Sequence, residues 1–297
     1  MQIVECVPNF SEGRRQVVID RIVESMRAMP DGRVLDVQSD VDHNRSVVTI
    51  IGAPEAVLEM AFQGISTAAE LIDMNHHRGE HPRMGAADVV PFVPVKGMTL
   101  EDCSALARQL GERVGAELCI PVYLYEAAAS RPDRRNLADV RRGEFEGLRQ
   151  EILVNPDRAP DYGPTEMGTA GATAIGARPP LIALNVYLNS DDVTAAKAIA
   201  RAVRHSSGGL RFVKALGLLV EGQAQVSMNL TDFGRTPIHR VMDLIRAEAA
   251  QRGLAVTHSK VVGMLPAQAL FDTAQYYLSL RELAPEMILE NRLSSED

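Results

Sequence analysis

RSVVTIIGAPEAVLEMAFQGISTAAELI (45–72) changes its period part-way along. From Val47 to Ile51 the residues are nearly all β-branched aliphatics, the signature of a short strand, and Gly52 ends the run. Pro54 then suits the first position of a helix, where its missing N–H costs nothing. Beyond it Leu58, Ala61, Phe62, Ile65, Ala69 and Ile72 recur three and four apart, which stacks them on one helical face. A strand feeding an amphipathic helix implies a sheet covered by helices. A later stretch, QVSMNLTDFGRTP (225–237), echoes RSVVTIIGAP (45–54), and a helix bearing Ile238, Val241, Met242 and Ile245 follows it.

The same signals extend in both directions. Upstream, Ile3 to Val7 reads as a strand, Ile19, Ile22, Val23 and Met26 as a helix face, and Val34 to Val37 as a second strand. Downstream come a strand over Val89 to Val95, a capping box at Thr99 and Asp102 ahead of Leu106, Leu110 and Val114, and a short strand over Ile120 to Leu124. The second half has strands at Leu181–Leu188, Phe212–Val220, Ala224–Leu230 and Val256–Leu265. Its helices are one capped by Ser190 and carrying Ile199 and Val203, the one after Pro237, and one from Pro266 through Tyr277. The expected fold is α+β: two similar subdomains, 1–178 and 179–297. Each is a mainly antiparallel sheet with helices on one face, ferredoxin-like in its split β-α-β order. Arg131 to Arg158, where arginines alternate with Asp133, Asp139, Glu144 and Glu146, reads as a solvated helical connector.

A chain of 297 residues has room for two such units. The balance of 31 basic against 39 acidic residues gives a net charge of −8, which argues against nucleic-acid phosphates as partners. Cys6, Cys103 and Cys119 match neither a zinc finger nor a C-x-x-C pair and read as reduced core thiols. No signal peptide and no membrane span are visible, so a cytoplasmic location is expected.

The densest polar cluster is DMNHHRGEHPRMG (73–85). Its H-x-x-E-H core, His77 to His81, matches an inverted zincin pattern, which needs a helix to bring its two histidines one turn apart. Gly79 and Pro82 forbid that helix, so the segment reads as a loop without a metal site. His76 and His77 are expected to face solvent or cap the preceding helix. His81, fixed between Gly79 and Pro82 on a loop entering a strand, is the candidate proton shuttle. SDVDHNR (39–45) offers a carboxylate to orient His81 and Arg45 to grip an acidic ligand. The glycine-rich 163–176 stretch lacks both phosphate-binding fingerprints, and reads either as a plain linker or as a flexible binding loop where two lobes meet.

VECVPNFSEG (4–13), HNRSVVT (43–49), LIDM (71–74), GEHPRMGAADVVPFVPV (79–95), PVYLY (121–125), GATAIGAR (171–178), GGL-x-x-VKALG (208–217), QVSMNLTDF (225–233) and VVGMLP (261–266) together resemble the formiminotransferase family, in collinear order over nearly the whole chain. The resemblance implies transfer of a formimino group from N-formiminoglutamate to tetrahydrofolate, a co-substrate, with release of glutamate in histidine breakdown. It also implies a homodimer with a folate cleft between the subdomains. The family's catalytic histidine falls on His81. Its folate loop falls on Gly163, Pro164, Thr165, Glu166, Met167, Gly168, Thr169, Ala170 and Gly171. Gln38 stands where mammalian relatives have an acidic residue, whose role passes to Asp40 here; Ala170 stands near an aromatic position of theirs. Both substrates carry carboxylates, so Arg45, Arg83, Arg211 and Lys214 are candidates for gripping them. Mammalian relatives also carry a cyclodeaminase domain; nothing here supplies one, so a separate cyclodeaminase is a candidate partner. Two other readings stay open: formyl transfer between 5-formyltetrahydrofolate and glutamate, which develops an oxyanion, and a folate-binding module without turnover.

Overall fold

A computed structural model describes residues 2–27 and 29–293. The chain forms two compact units, Met1–Pro179 and Pro180–Asp297. The first contains β1 (Ile3–Cys6), β2 (Asn9–Phe10), α1 (Gln16–Arg27), β3 (Gly32–Asp40), β4 (Arg45–Gly52), α2 (Pro54–Leu71), β5 (Ala87–Lys96), α3 (Leu100–Glu117), β6 (Val122–Glu126), α4 (Leu137–Val140), α5 (Glu144–Val154) and β7 (Thr173–Ala177). Its seven-stranded sheet has the order β1-β4-β2-β5-β7-β6, with β3 on the outer side of β4. β1 and β2 are one strand path interrupted at Pro8, which has no N–H to give a ladder; its carbonyl still accepts from Val48 N at 3.0 Å.

The helices form where the periodicity places them. Ile19, Ile22, Val23 and Met26 of α1 are all buried. Pro54 opens α2 and Thr99 closes the capping box with Asp102 at the start of α3. All four α1 residues join Leu58, Ala61, Phe62 and Ile65 of α2 and Leu110 and Val114 of α3 in one core.

Two features of this unit depart from the sequence reading. The sheet is mixed: β7 lies between β5 and β6 and runs parallel to both. The Thr-Ala-Ile-Gly-Ala run of β7 sits inside what reads as a glycine-rich loop, because its small residues hide a strand. The reason for the glycine is local: a Cβ at Gly176 would meet the Tyr125 ring at 2.5 Å. The second departure is the 131–158 segment, which is no solvated connector. Val140, Phe145, Leu148 and Ile152 are buried in the same core. With Ala87 to Val93 of β5 buried at every position, both faces of the sheet are covered at that strand. Cys6 and Cys103 are buried thiols as expected, whereas Cys119 is exposed just past the end of α3.

The second unit contains β8 (Ile182–Leu188), α6 (Val193–Val203), β9 (Val213–Val220), β10 (Gln223–Leu230), α7 (Ile238–Ala250), β11 (Val256–Val262), α8 (Ala267–Tyr277) and α9 (Leu289–Leu293). Its sheet is antiparallel throughout, in the order β11-β8-β10-β9. Alternate residues of β10, Ala224, Val226, Met228 and Leu230, pack with Ile199, Val203, Val241 and Ile245 of the helices. The cap of α6 is Asp192, whose carboxylate accepts from Thr194 N at 2.8 Å; Ser190 Oγ instead accepts from Asp192 N. No helix among the described residues is long and apolar enough to cross a membrane.

Candidate active site

Three of the polar motifs meet in the first unit. The 7–13 segment is stitched to the 78–86 loop: Ser11 Oγ donates to Gly85 O at 2.7 Å, and Ser11 N to Ala86 O at 2.8 Å. The β3–β4 turn closes on the same loop. Asn44 Oδ1 accepts from Gly13 N at 2.9 Å, Asn44 Nδ2 donates to Arg78 O at 2.9 Å, and Glu80 N donates to Asp42 O at 3.1 Å. Gly79 is required here, since a Cβ on it would meet His43 O at 2.3 Å. The whole segment from 72 to 84 lacks helix, as Gly79 and Pro82 dictate, and the one-turn spacing of His77 and His81 is not realised. Among the described residues, no group of three His, Cys, Asp or Glu side chains is placed to hold a metal ion.

His81 sits at the centre. Its Nδ1 lies 2.7 Å from Pro82 O, an acceptor only, so we place the proton on Nδ1. That tautomer leaves the Nε2 lone pair for chemistry. Arg45 Nη1, a donor only, stands 3.2 Å from the same Nδ1, and the shorter contact with Pro82 O decides where the proton sits. Burial, then Arg45 and Arg141, push the imidazole well below its ordinary value, against the opposing pull of Asp88 and Pro82 O. His81 is therefore a neutral base at neutral pH.

Behind it lies a buried ion cluster that the sequence reading misses. Asp88, on β5, is fully buried. Its carboxylate accepts from Arg45 Nη1 at 2.7 Å, from Arg141 Nε at 3.3 Å, from Arg141 Nη2, and from Met84 N at 3.0 Å. Burial alone would raise the Asp88 carboxyl, but Arg141 and Arg45 hold it down at about 2. Arg45 is pushed down to about 10, mainly by its own burial. Nothing in the sequence marks Asp88, a single acid in an apolar strand. Nor does spacing separate Arg141 from its neighbouring arginines; the pairing spans 53 residues.

The sequence-expected residues fall as follows. Asp40 is not brought against His81. Its Oδ1 accepts from His43 N at 2.8 Å and lies 4.0 Å from His43 Nδ1, because the tight turn after β3 folds His43 back over the carboxylate. His77 does not face solvent. It is buried, its Nε2 donates to Asn44 O at 2.9 Å and its Nδ1 accepts from Arg83 Nε at 3.2 Å, which pins the loop. His76 is the exposed one, 3.8 Å from Asp73. Arg83 is not open to a substrate carboxylate. Its guanidinium is buried against Glu144 at 3.0 Å and Glu146 at 2.7 Å, and helps hold Glu146 at about 2. Arg45 gives Nε to Asn9 Oδ1 at 3.0 Å and Nη1 to Asp88, which leaves Nη2 without a partner among the described residues.

The 163–171 loop runs back to the His81 loop. Thr169 O accepts from Met74 N and Ala170 O from Ala86 N, both at 2.8 Å; Met84 O accepts from Ala172 N at 3.0 Å. Gly163 and Gly171 have φ of 81° and 74°, and a Cβ at either would meet a carbonyl oxygen at 2.4 Å. Met167 is the buried anchor, while Thr165, Glu166, Gly168 and Thr169 are exposed. Arg211 and Lys214 belong to the second unit. Arg211 lies over the Phe212 ring at 5.4 Å, and Lys214 pairs with Asn229 across β9 and β10.

A basic nitrogen beside two fixed guanidiniums, whose charge one buried carboxylate offsets in part, suits proton transfer during attack on a carbon flanked by nitrogens. Residues 3–178 match the N-terminal subdomain of the formiminotransferase domain and residues 183–292 match the formiminotransferase domain. The chain belongs to the formiminotransferase family. It is 48% identical over 296 residues to a glutamate formimidoyltransferase of Streptococcus pyogenes serotype M1, covering 98% of this chain and 99% of that one. It is equally similar, at 48% over 296 residues, to a glutamate formimidoyltransferase of Thermoplasma acidophilum, covering 99% of this chain and 98% of that one. A formimidoyltransferase-cyclodeaminase of Mus musculus is 44% identical over 95% of this chain, which spans 53% of the mouse protein. Membership of the formiminotransferase family makes the chain an enzyme, a transferase of one-carbon groups.

Proposed function

We propose that this transferase moves the formimino group of N-formiminoglutamate to N5 of tetrahydrofolate, giving 5-formiminotetrahydrofolate and glutamate. The observation that carries the reading is the neutral His81, with Nδ1 tied to Pro82 O and Nε2 left for substrate, in a chain similar end to end to two glutamate formimidoyltransferases. Folate N5 attacks the formimino carbon and forms a C–N bond. His81 Nε2 takes the N5 proton, then returns a proton to the glutamate nitrogen as the old C–N bond breaks. One imidazole serves both steps, a contribution typically worth about 10²–10⁴-fold. The Asp88 carboxylate lies behind Arg45 and offsets part of the positive charge around the ring when it is protonated.

The exposed side of the 163–171 loop is the folate-binding element in this reading, held at fixed height by Met167 and the two glycines. Arg45 Nη2, Arg211 and Lys214 are the proposed carboxylate contacts. Subdomains 1–178 and 179–297, a homodimer, a cytoplasmic location, a role in histidine breakdown and a separate cyclodeaminase complete the reading; the family resemblance supports them.

The test is glutamate release from formiminoglutamate with and without tetrahydrofolate, beside a parallel reaction of 5-formyltetrahydrofolate with glutamate. Folate-dependent release is the expected result. Turnover in the parallel reaction alone would replace formimino by formyl transfer, and silence in both with folate still bound would leave a binding module.

A further inference from the structure

We propose that His43 determines the specificity of this site: its Nε2 accepts a hydrogen bond from the nitrogen of the formimino group, which selects formimino over formyl. The inference rests on the formimino-transfer reading above. His43 is fixed by its turn. Asp40 Oδ1 accepts from its backbone N at 2.8 Å, and Asn44 beyond it adopts a left-handed φ of 46°. The side chain is only 9% exposed. Its ring centre lies 5.9 Å from that of His81, with the planes inclined by 62°. A group that reacts at His81 therefore lies within reach of His43.

The hydrogen-bond account of His43 is incomplete in the protein alone. Nδ1 stands 4.0 Å from the Asp40 carboxylate, which favours the proton on that nitrogen. Nε2 is then a lone-pair acceptor, and it is buried with no hydrogen-bond partner. Burial, helped by the nearby Arg45, outweighs the opposing pull of Asp40, Asp42 and Glu80 and disfavours the charged ring, so the lone pair persists. An orphaned buried acceptor destabilises a fold, and calls for a donor. The formimino group supplies one: its terminal nitrogen carries N–H. A formyl group presents a carbonyl oxygen in the same place, and two lone pairs would face each other. The discrimination is thus built from one acceptor, in the way that a site made for a substrate N–H rejects the analogue lacking it.

The decisive measurement is the ratio of kcat/KM for formimino transfer to that for formyl transfer, in wild type, His43→Leu and His43→Gln. In His43→Leu the formimino reaction falls about 10- to 100-fold while the formyl reaction holds or rises, and the melting temperature is retained because no satisfied hydrogen bond is removed. His43→Gln, whose amide can turn either its oxygen or its nitrogen toward the ligand, recovers part of the formimino rate with a narrowed ratio. It carries the same test if His43→Leu does not fold. An enzyme that moves formimino, with the ratio unchanged in both variants, overturns this inference and leaves the reading of function standing. A wild type that moves formyl but not formimino overturns both.

Discussion

His81 gains its character from neighbours that are distant in sequence. Pro82 fixes its tautomer from the adjacent position, but what keeps it neutral is first its burial and then the charges of Arg45 on β4 and Arg141 after α4. This has a kinetic consequence. In the proposed transfer the base must be unprotonated to accept the N5 proton, so the acid limb of kcat/KM for glutamate release is expected below the ordinary histidine value of 6.5. A limb at or above 6.5 would show that burial and the two guanidiniums do not act on the reacting imidazole. Asp88→Asn removes a carboxylate that favours the protonated ring, and shifts that limb to still lower pH. A shift upward would contradict the arrangement. Position 81 was legible from the sequence because its constraints are local, Gly79 and Pro82. Asp88 and Arg141 were not, because each is ordinary in its own segment and acquires meaning only by pairing across the sheet. Asp40 illustrates the converse: it is near in sequence to the site but is spent on the turn that orders His43.

At the scale of elements, the 163–171 loop is a folded strap whose ends are fixed. A methyl group at Gly171 would meet Met84 O at 2.4 Å on a backbone with φ of 74°, whereas one at Gly168 would meet nothing within 4 Å. Gly171→Ala therefore destabilises the protein by about 1–3 kcal/mol in urea unfolding and weakens folate binding. Gly168→Ala leaves stability within about 0.5 kcal/mol of wild type. Equal effects of the two would mean that the strap is not anchored to Met84. Helices with one apolar face, such as α1, or with an explicit cap, such as α3, were readable because periodicity and capping are properties of a single segment. β7 was not, since Thr-Ala-Ile-Gly-Ala carries little strand preference and owes its place to packing under Tyr125. The 131–158 segment misled for a related reason: its arginine-rich text reads as surface, yet it buries Phe145, Leu148 and Ile152 and delivers Arg141 to Asp88.

Over the whole molecule, the charge cluster makes stability depend on acidity. Asp88 has a folded-state value of about 2 against an ordinary 3.8. A depressed carboxyl contributes stability that is present above its unfolded value and lost as pH falls through the folded one, here between about 4 and 2. The contribution is about 2 kcal/mol at neutral pH. Urea unfolding of the wild type therefore loses about that much across this window, and the loss is smaller in Asp88→Asn. A pH-independent difference between the two proteins would remove Asp88 as its source. The division into two sheets with separate cores followed from the repeated strand-helix text. The mixed order of the first sheet could not, because parallel pairing of β5, β7 and β6 depends on a crossover through residues whose burial the sequence conceals.

In the proposed mechanism His81 moves the protons of formimino transfer. The most direct measurement compares tetrahydrofolate-dependent glutamate release by wild type and His81→Ala at saturating substrates, with folate affinity measured on the same preparations. Turnover is expected to fall at least about a hundredfold with folate affinity largely retained. Near-wild-type turnover in His81→Ala would contradict it.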